Sequence, residues 1–248
     1  MTTPNRATGP AGPSNIAFRL TALLLAMLLG AQCVWLLLAA LSRPGIDQLP
    51  TDATSAAAAA ATGRRDAATW AASIGAVRGD LWAESAFTYA NLVVDGGAAS
   101  ASPNLAKTLA LARVSLDHAL DNAPSQAGVW LLLAALAMQY PSTWPAISPI
   151  EALKMSYYTG PSDQPLIPLR LRLAVHADQF SDFEMSQLVN RDLRLLLSQK
   201  QIAAISAAYV AASPDGKHFI EQTVSDVDPS LLATLRAGVR PSKALPVK

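Results

Sequence analysis

The feature that most constrains this chain is one long apolar stretch close to its N-terminus. It covers residues 20–41 as LTALLLAMLLGAQCVWLLLAAL, interrupted by the polar residues Thr21 and Gln32. Folded as an α-helix, these 22 residues measure roughly 33 Å, which is enough to cross a hydrocarbon core of about 30 Å. The sequence therefore predicts a single transmembrane helix at 18–42 that contacts the lipid bilayer through 20–41.

The basic residues around this stretch predict its orientation. Arg6 and Arg19 precede it, whereas Arg43 on the far side is soon followed by Asp47 and Asp52. Because basic residues favour the cytoplasmic face of a membrane, we expect the N-terminus in the cytoplasm. The C-terminal part is then expected in the periplasm of a bacterium, with the helix in the inner membrane.

The length of the stretch favours a retained signal anchor over a cleaved signal. The hydrophobic regions of secretory signals are typically about 7–15 residues long, and this one is longer. Small residues at Ala39 and Ala40 leave cleavage as the alternative. Cys33 is the single cysteine, and the apolar run continues beyond it, which disfavours a lipoprotein signal and leaves the rest of the chain without an intrachain disulfide.

Composition favours helix in the remaining chain and argues against a nucleic-acid partner. Alanine and leucine dominate, while glycine and β-branched residues are sparse in the middle of the chain. From Asp47 onward the chain holds all 18 acidic residues and 16 of the 19 basic ones. This near balance offers no basic surface for nucleic acid.

Helix starts are marked by capping residues beside prolines. A side-chain oxygen at the N-cap accepts from an otherwise unpaired amide, and proline fits the first helical position. Since no stretch alternates as a strand does, we predict an all-α body at 64–238, an Ala/Pro-rich linker at 43–63, and disordered ends at 1–17 and 239–248. The marked positions are Ser102-Pro103, Pro124-Ser125, Ser148-Pro149, Ser213-Pro214 and Asp228-Pro229, and Ser181 with Glu184 has the spacing of a capping box.

Two apolar segments lead to separate predictions. Trp70, Ile74 and Val77 recur at helical spacing, which predicts one helix over 64–94. The segment 129–138 is apolar almost all round. It is too short to cross a bilayer, so we expect a buried central helix there.

One sequence motif occurs twice in the helical body. The motif W-x-x-S-A-x-x-Y at 82–89 is followed 48 residues later by W-x-x-L-A-x-x-A at 130–137. The arrangement resembles tetratricopeptide repeats, although that family has a period of about 34 residues and usually an aromatic where this chain has Ala137. The resemblance implies antiparallel helix pairs, in a short irregular solenoid or bundle that binds other proteins. The residues expected to pack the repeats are Trp82, Ala86, Tyr89, Ala112, Ala119, Pro124, Trp130, Leu133 and Ala134.

Three segments also resemble small bacterial envelope proteins that are encoded among exopolysaccharide genes. They are VRGDLWAESAF at 77–87, the segment APSQAGVWLLLA at 123–134 and SYYTGP at 156–161. The resemblance implies an accessory role in the biosynthesis or export of surface polysaccharide.

Motifs for catalysis and metal binding are missing from the sequence. It has no GxSxG, GxxxxGK[ST], HExxH or GxGxxG, and His118, His176 and His218 are far apart. We therefore expect no enzyme activity, no metal and no cofactor. A periplasmic glycan hydrolase is one alternative, although Glu84 and Glu151 are explained by solvation and helix capping. A purely structural module that forms a homodimer is the other.

Aromatic and basic residues in the second half of the body are the candidates for contacting a partner, which we expect to be another envelope protein. Tyr, Trp and Arg dominate the binding energy of many protein interfaces. The candidates are Trp144, Tyr157, Tyr158, Arg170 and Arg172. The two arginines are two positions apart, so on one helix they diverge by about 200° and cannot form a single clamp.

Overall fold

The structure is a computed structural model that describes residues 13–43, 45–46, 48–49, 60–94, 104–176 and 182–238. Throughout these ranges the regular structure is helical, with no strand. The helices are α1 (Pro13–Leu41), α2 (Arg65–Ile74), α3 (Gly79–Phe87), α4 (Asn91–Val94), α5 (Leu105–Asn122), α6 (Ala127–Gln139), α7 (Pro149–Thr159), α8 (Ile167–His176), α9 (Phe183–Ser198), α10 (Ile202–Ala211), α11 (Pro214–Val227) and α12 (Ser230–Gly238). The all-α prediction is confirmed for the described residues. Of the ends predicted to be disordered, 1–17 and 239–248, residues 13–17 instead belong to α1, and 1–12 and 239–248 lie outside the described residues.

The first helix has the properties of a membrane span. Its segment Ile16–Leu41 has 26 residues with a mean hydropathy of 2.3, and only 6% of its most apolar window is buried against the rest of the protein. Among the described residues it is the one helix long and apolar enough to cross a membrane. Cys33 lies on it and is exposed.

The centre of the body is α6. Leu131, Leu132, Leu133 and Leu136 are almost fully buried, as are the alanines between them. The helix packs most extensively on α7 and also contacts α3, α4 and α5. Its apolar surface is thus covered by protein on all sides, and the interior position expected for 129–138 is what the structure shows.

The residues expected to pack the repeats are mostly interior. Ala86, Ala112 and Ala119 are buried, in helices α3 and α5 that pack closely, and the Ser85 and Ser115 hydroxyls meet at 3.0 Å between those helices. Trp82, Tyr89, Leu133 and Ala134 are buried as well, whereas Trp130 is half-buried and Pro124 is exposed.

The two repeat tryptophans make the same local contact. The Trp82 indole donates to the carbonyl of Ala76 at 2.9 Å, and the Trp130 indole donates to the carbonyl of Pro124 at 2.7 Å. Each acceptor lies six residues before its tryptophan. Each indole therefore stabilises, through this hydrogen bond, the turn at the start of its own helix.

The single helix expected over 64–94 is wrong. The chain breaks into α2, α3 and α4, with a turn between Ile74 and Gly79, and Val77 is 82% exposed instead of sharing an inner face. The turn fits because of Gly75, where a Cβ would lie 2.5 Å from Leu81 Cδ1. Periodicity alone could not reveal this close approach, since the apolar spacing continues across the break.

Most predicted helix starts agree with the structure to within three residues. Ser148 and Ser213 cap α7 and α11 by accepting from Glu151 and Gly216. At α9 the cap is Asp182, which accepts from the Met185 amide at 3.1 Å, one residue later than the expected capping box. The Ser102-Pro103 mark lies outside the described residues.

The expected linker is partly built into the body. Within 43–63, Ile46 and Leu49 are buried in the core, and Arg43 pairs with the buried Glu84 carboxylate of α3. The Ile46 amide also donates to Glu84, at 3.4 Å. These contacts attach the end of α1 firmly to the body.

Candidate binding groove

A cleft of about 370 Å³ lies where α4, α6, α8 and α10 meet. Its walls are mainly small or flexible apolar side chains. Small residues leave room for an incoming side chain, and methionine adapts its shape to what it contacts. We call this cleft the groove, and its lining includes Ala135, Met138, Arg172, His176, Ala207 and Ala211.

The charged group of the groove is Arg172. Its side chain is half-buried, and its guanidinium forms no hydrogen bond or ion pair with any of the residues that the structure describes. A guanidinium presents a planar fork of donors that matches a carboxylate. The groove therefore combines an apolar surface with one site for an anionic group.

A second polar group stands at the edge of the groove. His176 Nδ1 lies 3.0 Å from the carbonyl of Ala211, and because a carbonyl only accepts, Nδ1 is the donor. In the neutral ring Nε2 is then an acceptor. This bond fixes the ring between α8 and α10.

One wall of the groove is an uncharged helix with an exposed apolar face. The sequence of α10 is IAAISAAYVA. Its buried residues include Ile205 and Tyr209, while Ala203, Ala207 and Val210 are exposed. An exposed apolar helix face beside an apolar cleft is typical of a protein interaction site. A signal for this face in the sequence is the lack of any charged residue over Ile202–Ala211.

The structure separates the five candidate partner-binding residues. Trp144, Tyr157 and Arg170 are buried in the interior, whereas Tyr158 is 50% exposed and Arg172 lines the groove. Their role in binding stays a prediction, and only the last two are accessible to a partner. Arg170 and Arg172 point to different environments, as their spacing on one helix predicted.

Arg170 organises a buried polar cluster with Ser156, Tyr157 and Asp192. Its Nε donates to Ser156 Oγ at 2.9 Å and its Nη2 to the Ser156 carbonyl at 2.5 Å, while its guanidinium carbon lies 4.9 Å from the centre of the Tyr157 ring. All four residues are almost completely buried. The cluster joins α7, α8 and α9 from within and lines none of the described clefts.

Burial dominates the electrostatics of this cluster. It raises the pKa of the Tyr157 hydroxyl well above its ordinary value, and the neighbouring Asp192 adds to the rise. It also raises the pKa of the Asp192 carboxyl, against the opposing effect of Arg170 and Arg191. Tyr157 Oη and Asp192 Oδ2 have no hydrogen-bond partner within the described part of the chain. The cluster therefore depends on its one buried cation.

Tyr158 belongs to a surface network between α7 and α9. Its hydroxyl donates to Glu184 at 2.6 Å, and Lys154 Nζ lies 2.6 Å from Asp182 and 3.3 Å from Glu184. The hydrogen bond from Lys154 is the main cause that lowers the pKa of Asp182, and the bond from Tyr158 is the main cause that lowers that of Glu184.

This network predicts a loss of stability in acid. Because the folded-state pKa values of Asp182 and Glu184 are lowered, their contribution is present above their ordinary values of 3.8 and 4.5 and is lost as the pH falls below them. We expect the melting temperature of Lys154→Met to fall less steeply than that of the wild type between neutral and acidic pH. Lys107→Met, on an exposed part of α5, is the matched control. If the melting temperature of Lys154→Met fell with pH as steeply as that of the wild type, the assigned role of the network would be contradicted.

The described residues contain no group of three or more His, Cys, Asp or Glu side chains that could hold a metal ion. Glu84 is buried, yet it pairs with Arg43 and lines none of the described clefts. The groove holds no carboxylate among its lining residues.

Comparison with known proteins leaves the groove as the main guide to function. No protein-family model, no curated protein and no solved structure matches this chain.

Proposed function

We propose that this chain is a single-pass membrane protein whose periplasmic helical body is an adaptor for another envelope protein. The observation that carries the proposal is the groove, in which the Arg172 guanidinium, unpaired among the described residues, stands beside the exposed apolar face of α10. The long apolar α1 supports an anchor in the inner membrane. The body would then present its groove close to the membrane surface.

The body is proposed to be a degenerate tetratricopeptide-like array of antiparallel helix pairs. The close packing of α3 on α5 and of α6 on α7 supports this arrangement. So does the shared indole contact, six residues back, of Trp82 and Trp130. Arrays of helix pairs often bind extended segments of other proteins on a concave face.

The occupant of the groove is proposed to be a polypeptide segment that carries an apolar side chain next to a carboxylate. The alanines and Met138 would receive the apolar side chain, and Arg172 would pair with the carboxylate. The system that uses this adaptor is proposed to be the assembly or export of surface polysaccharide, on the basis of the resemblance of three sequence segments.

Site-specific photo-crosslinking in the native cells tests the adaptor proposal. A benzophenone amino acid at Ala207, in the groove, is expected to crosslink an envelope protein through a segment that contains an acidic residue or a C-terminus. The same amino acid at Leu111, an exposed apolar position on α5, is the control. Equal products at both positions would contradict the proposal, and a product made only of this chain would favour the homodimer instead.

Charge reversal in the groove gives a quantitative prediction. Arg172→Glu is expected to weaken crosslinking from Ala207 about tenfold, equivalent to 1.4 kcal/mol, because it places a like charge opposite the carboxylate. Arg172→Lys keeps the charge and is expected to retain most of the product. If Arg172→Glu also lowers the amount of surface polysaccharide, the proposed system is supported; unchanged polysaccharide would contradict that part alone.

A further inference from the structure

The turn between α2 and α3 has an unusual set of hydrogen bonds. We call residues 74–78 the tip. The Ile74 carbonyl accepts from the Trp35 indole of α1 at 2.7 Å, the Gly75 carbonyl from the Arg78 amide at 2.7 Å, and the Ala76 carbonyl from the Trp82 indole at 2.9 Å. Three successive carbonyls are thus satisfied within the protein, although the tip lies on its surface.

The Trp35 contact fixes the level of the tip along α1. Trp35 is six residues before Leu41, which corresponds to about 9 Å along a helix. Because the apolar stretch exceeds a hydrocarbon core of about 30 Å by only about 3 Å, Trp35 lies roughly 6–9 Å inside the periplasmic end of that core. Ala39 is fully buried, and a Cβ placed on Gly75 would lie 3.6 Å from its methyl group, so the tip and α1 are closely packed.

The side chains of the tip suit that position. Val77 is 82% exposed and Ala76 is exposed, and Trp70, one turn before Ile74 on α2, is 55% exposed. Tryptophan is enriched at the boundary between lipid and water, where its apolar ring and its N–H both find favourable surroundings. The exposed side chains Ala76, Val77 and Trp70 are thus apolar, as most exposed side chains of α1 are.

The charged side chains in the tip and close to it form ion pairs. Arg78 is half-buried and forms an ion pair with Asp80, with Nη2 and Oδ2 2.6 Å apart. Arg43 pairs with Glu84 two residues beyond the end of α1. An arginine near the membrane surface can extend its head toward water while its stem stays in apolar surroundings. Neither pair prevents the tip from entering the interface.

We infer that the tip, together with Trp70 of α2, is a second membrane contact, in which Val77 and Trp70 enter the periplasmic leaflet of the bilayer beside the anchor. In the interior of a membrane each unsatisfied backbone carbonyl is costly, and the carbonyls of Ile74, Gly75 and Ala76 are already paired within the protein. The inference rests on α1 crossing the bilayer. It adds that the body lies directly on the membrane instead of standing away from it.

Spin-label depth measurements on the full chain in lipid nanodiscs test this inference. Starting from Cys33→Ala, single cysteines replace Val77, Leu29 on the exposed surface of α1, and Phe183, which is 76% exposed on α9. Labels at Val77 and Leu29 are expected to collide with oxygen more than with a water-soluble nickel chelate. The label at Phe183 is expected to show the reverse.

The outcomes separate the inference from the proposed anchor. If Val77 matches Phe183 while Leu29 is lipid-exposed, the second membrane contact is wrong and the anchor stands. If Leu29 is also exposed to water, both are wrong. Trp35→Phe removes the indole donor to Ile74. In this variant the label at Val77 is expected to lose most of its preference for oxygen over the nickel chelate and to approach the behaviour of the label at Phe183. Trp130→Phe removes the equivalent indole hydrogen bond, to Pro124 in the body, and is expected to leave the collision preference at Val77 unchanged.

Discussion

Replacing Arg170 by methionine is expected to lower the free energy of unfolding by about 3–5 kcal/mol. Arg170 is fully buried, and its charge acts with that of the more exposed Arg191, which lies 3.5 Å from Asp192, to offset the cost of burying the Asp192 carboxylate. The substitution also removes both donors to Ser156. A buried carboxylate that loses a compensating charge, next to a buried serine that loses its donors, is among the more destabilising changes in a protein interior.

Chemical denaturation of the full chain in detergent measures this effect. Arg172→Met is the matched control, because it removes an arginine from the same helix without breaking a pair, and it is expected to change stability by no more than about 0.5 kcal/mol. The double variant Arg170→Met with Asp192→Leu is expected to recover a substantial part of the loss, since it removes both buried charges. Equal effects of Arg170→Met and Arg172→Met would contradict the assigned role of the cluster.

Replacing Arg43 by methionine is expected to cost about 2–3 kcal/mol. Glu84 is only 2% exposed, so the substitution leaves its carboxylate buried with the Ile46 amide as the remaining described donor. Arg43 itself is about one-third exposed, and solvent around it reduces the effect below that of a fully buried pair.

A double-mutant cycle with Glu84→Gln isolates the energy of this pair. The variants Arg43→Met and Glu84→Gln are expected to be less than additive, because either one alone breaks the same contact. Arg194→Met, whose guanidinium contacts Asn190 on an exposed part of α9, serves as the control and is expected to have a small effect. Strict additivity of the first two variants would show that Arg43 and Glu84 do not interact.

The fold class and the long apolar helix α1 could be predicted from the sequence because both depend on local patterns. A continuous apolar run fixes a span by its length, and capping residues fix helix starts by their own hydrogen bonds. Ser148 and Ser213 are such cases. The break of 64–94 could not be predicted in this way, because it depends on the close approach of Gly75 to Leu81 and Ala39, and those contacts exist only in the folded protein.

The candidate site was predicted less well for a related reason. Trp144, Tyr157 and Arg170 were selected because tryptophan, tyrosine and arginine are common in interfaces. The same residue types also occur in protein interiors when a hydrogen-bond partner is nearby. Whether an arginine is buried or accessible depends on its direction around the helix. The spacing of Arg170 and Arg172 indicated that they diverge, but not which of them faces the core.

The junction of α1 with the body has a consequence for how a partner must approach. Ala39 belongs to the same buried core as Ile46 and Leu49, so in the proposed arrangement the chain would leave the lipid without a free tether. The body then cannot reach outward or rotate to search for a ligand. A partner would have to offer its segment at one height and one angle above the lipid surface. Membrane neighbours that diffuse in the same plane meet that condition more often than proteins free in solution.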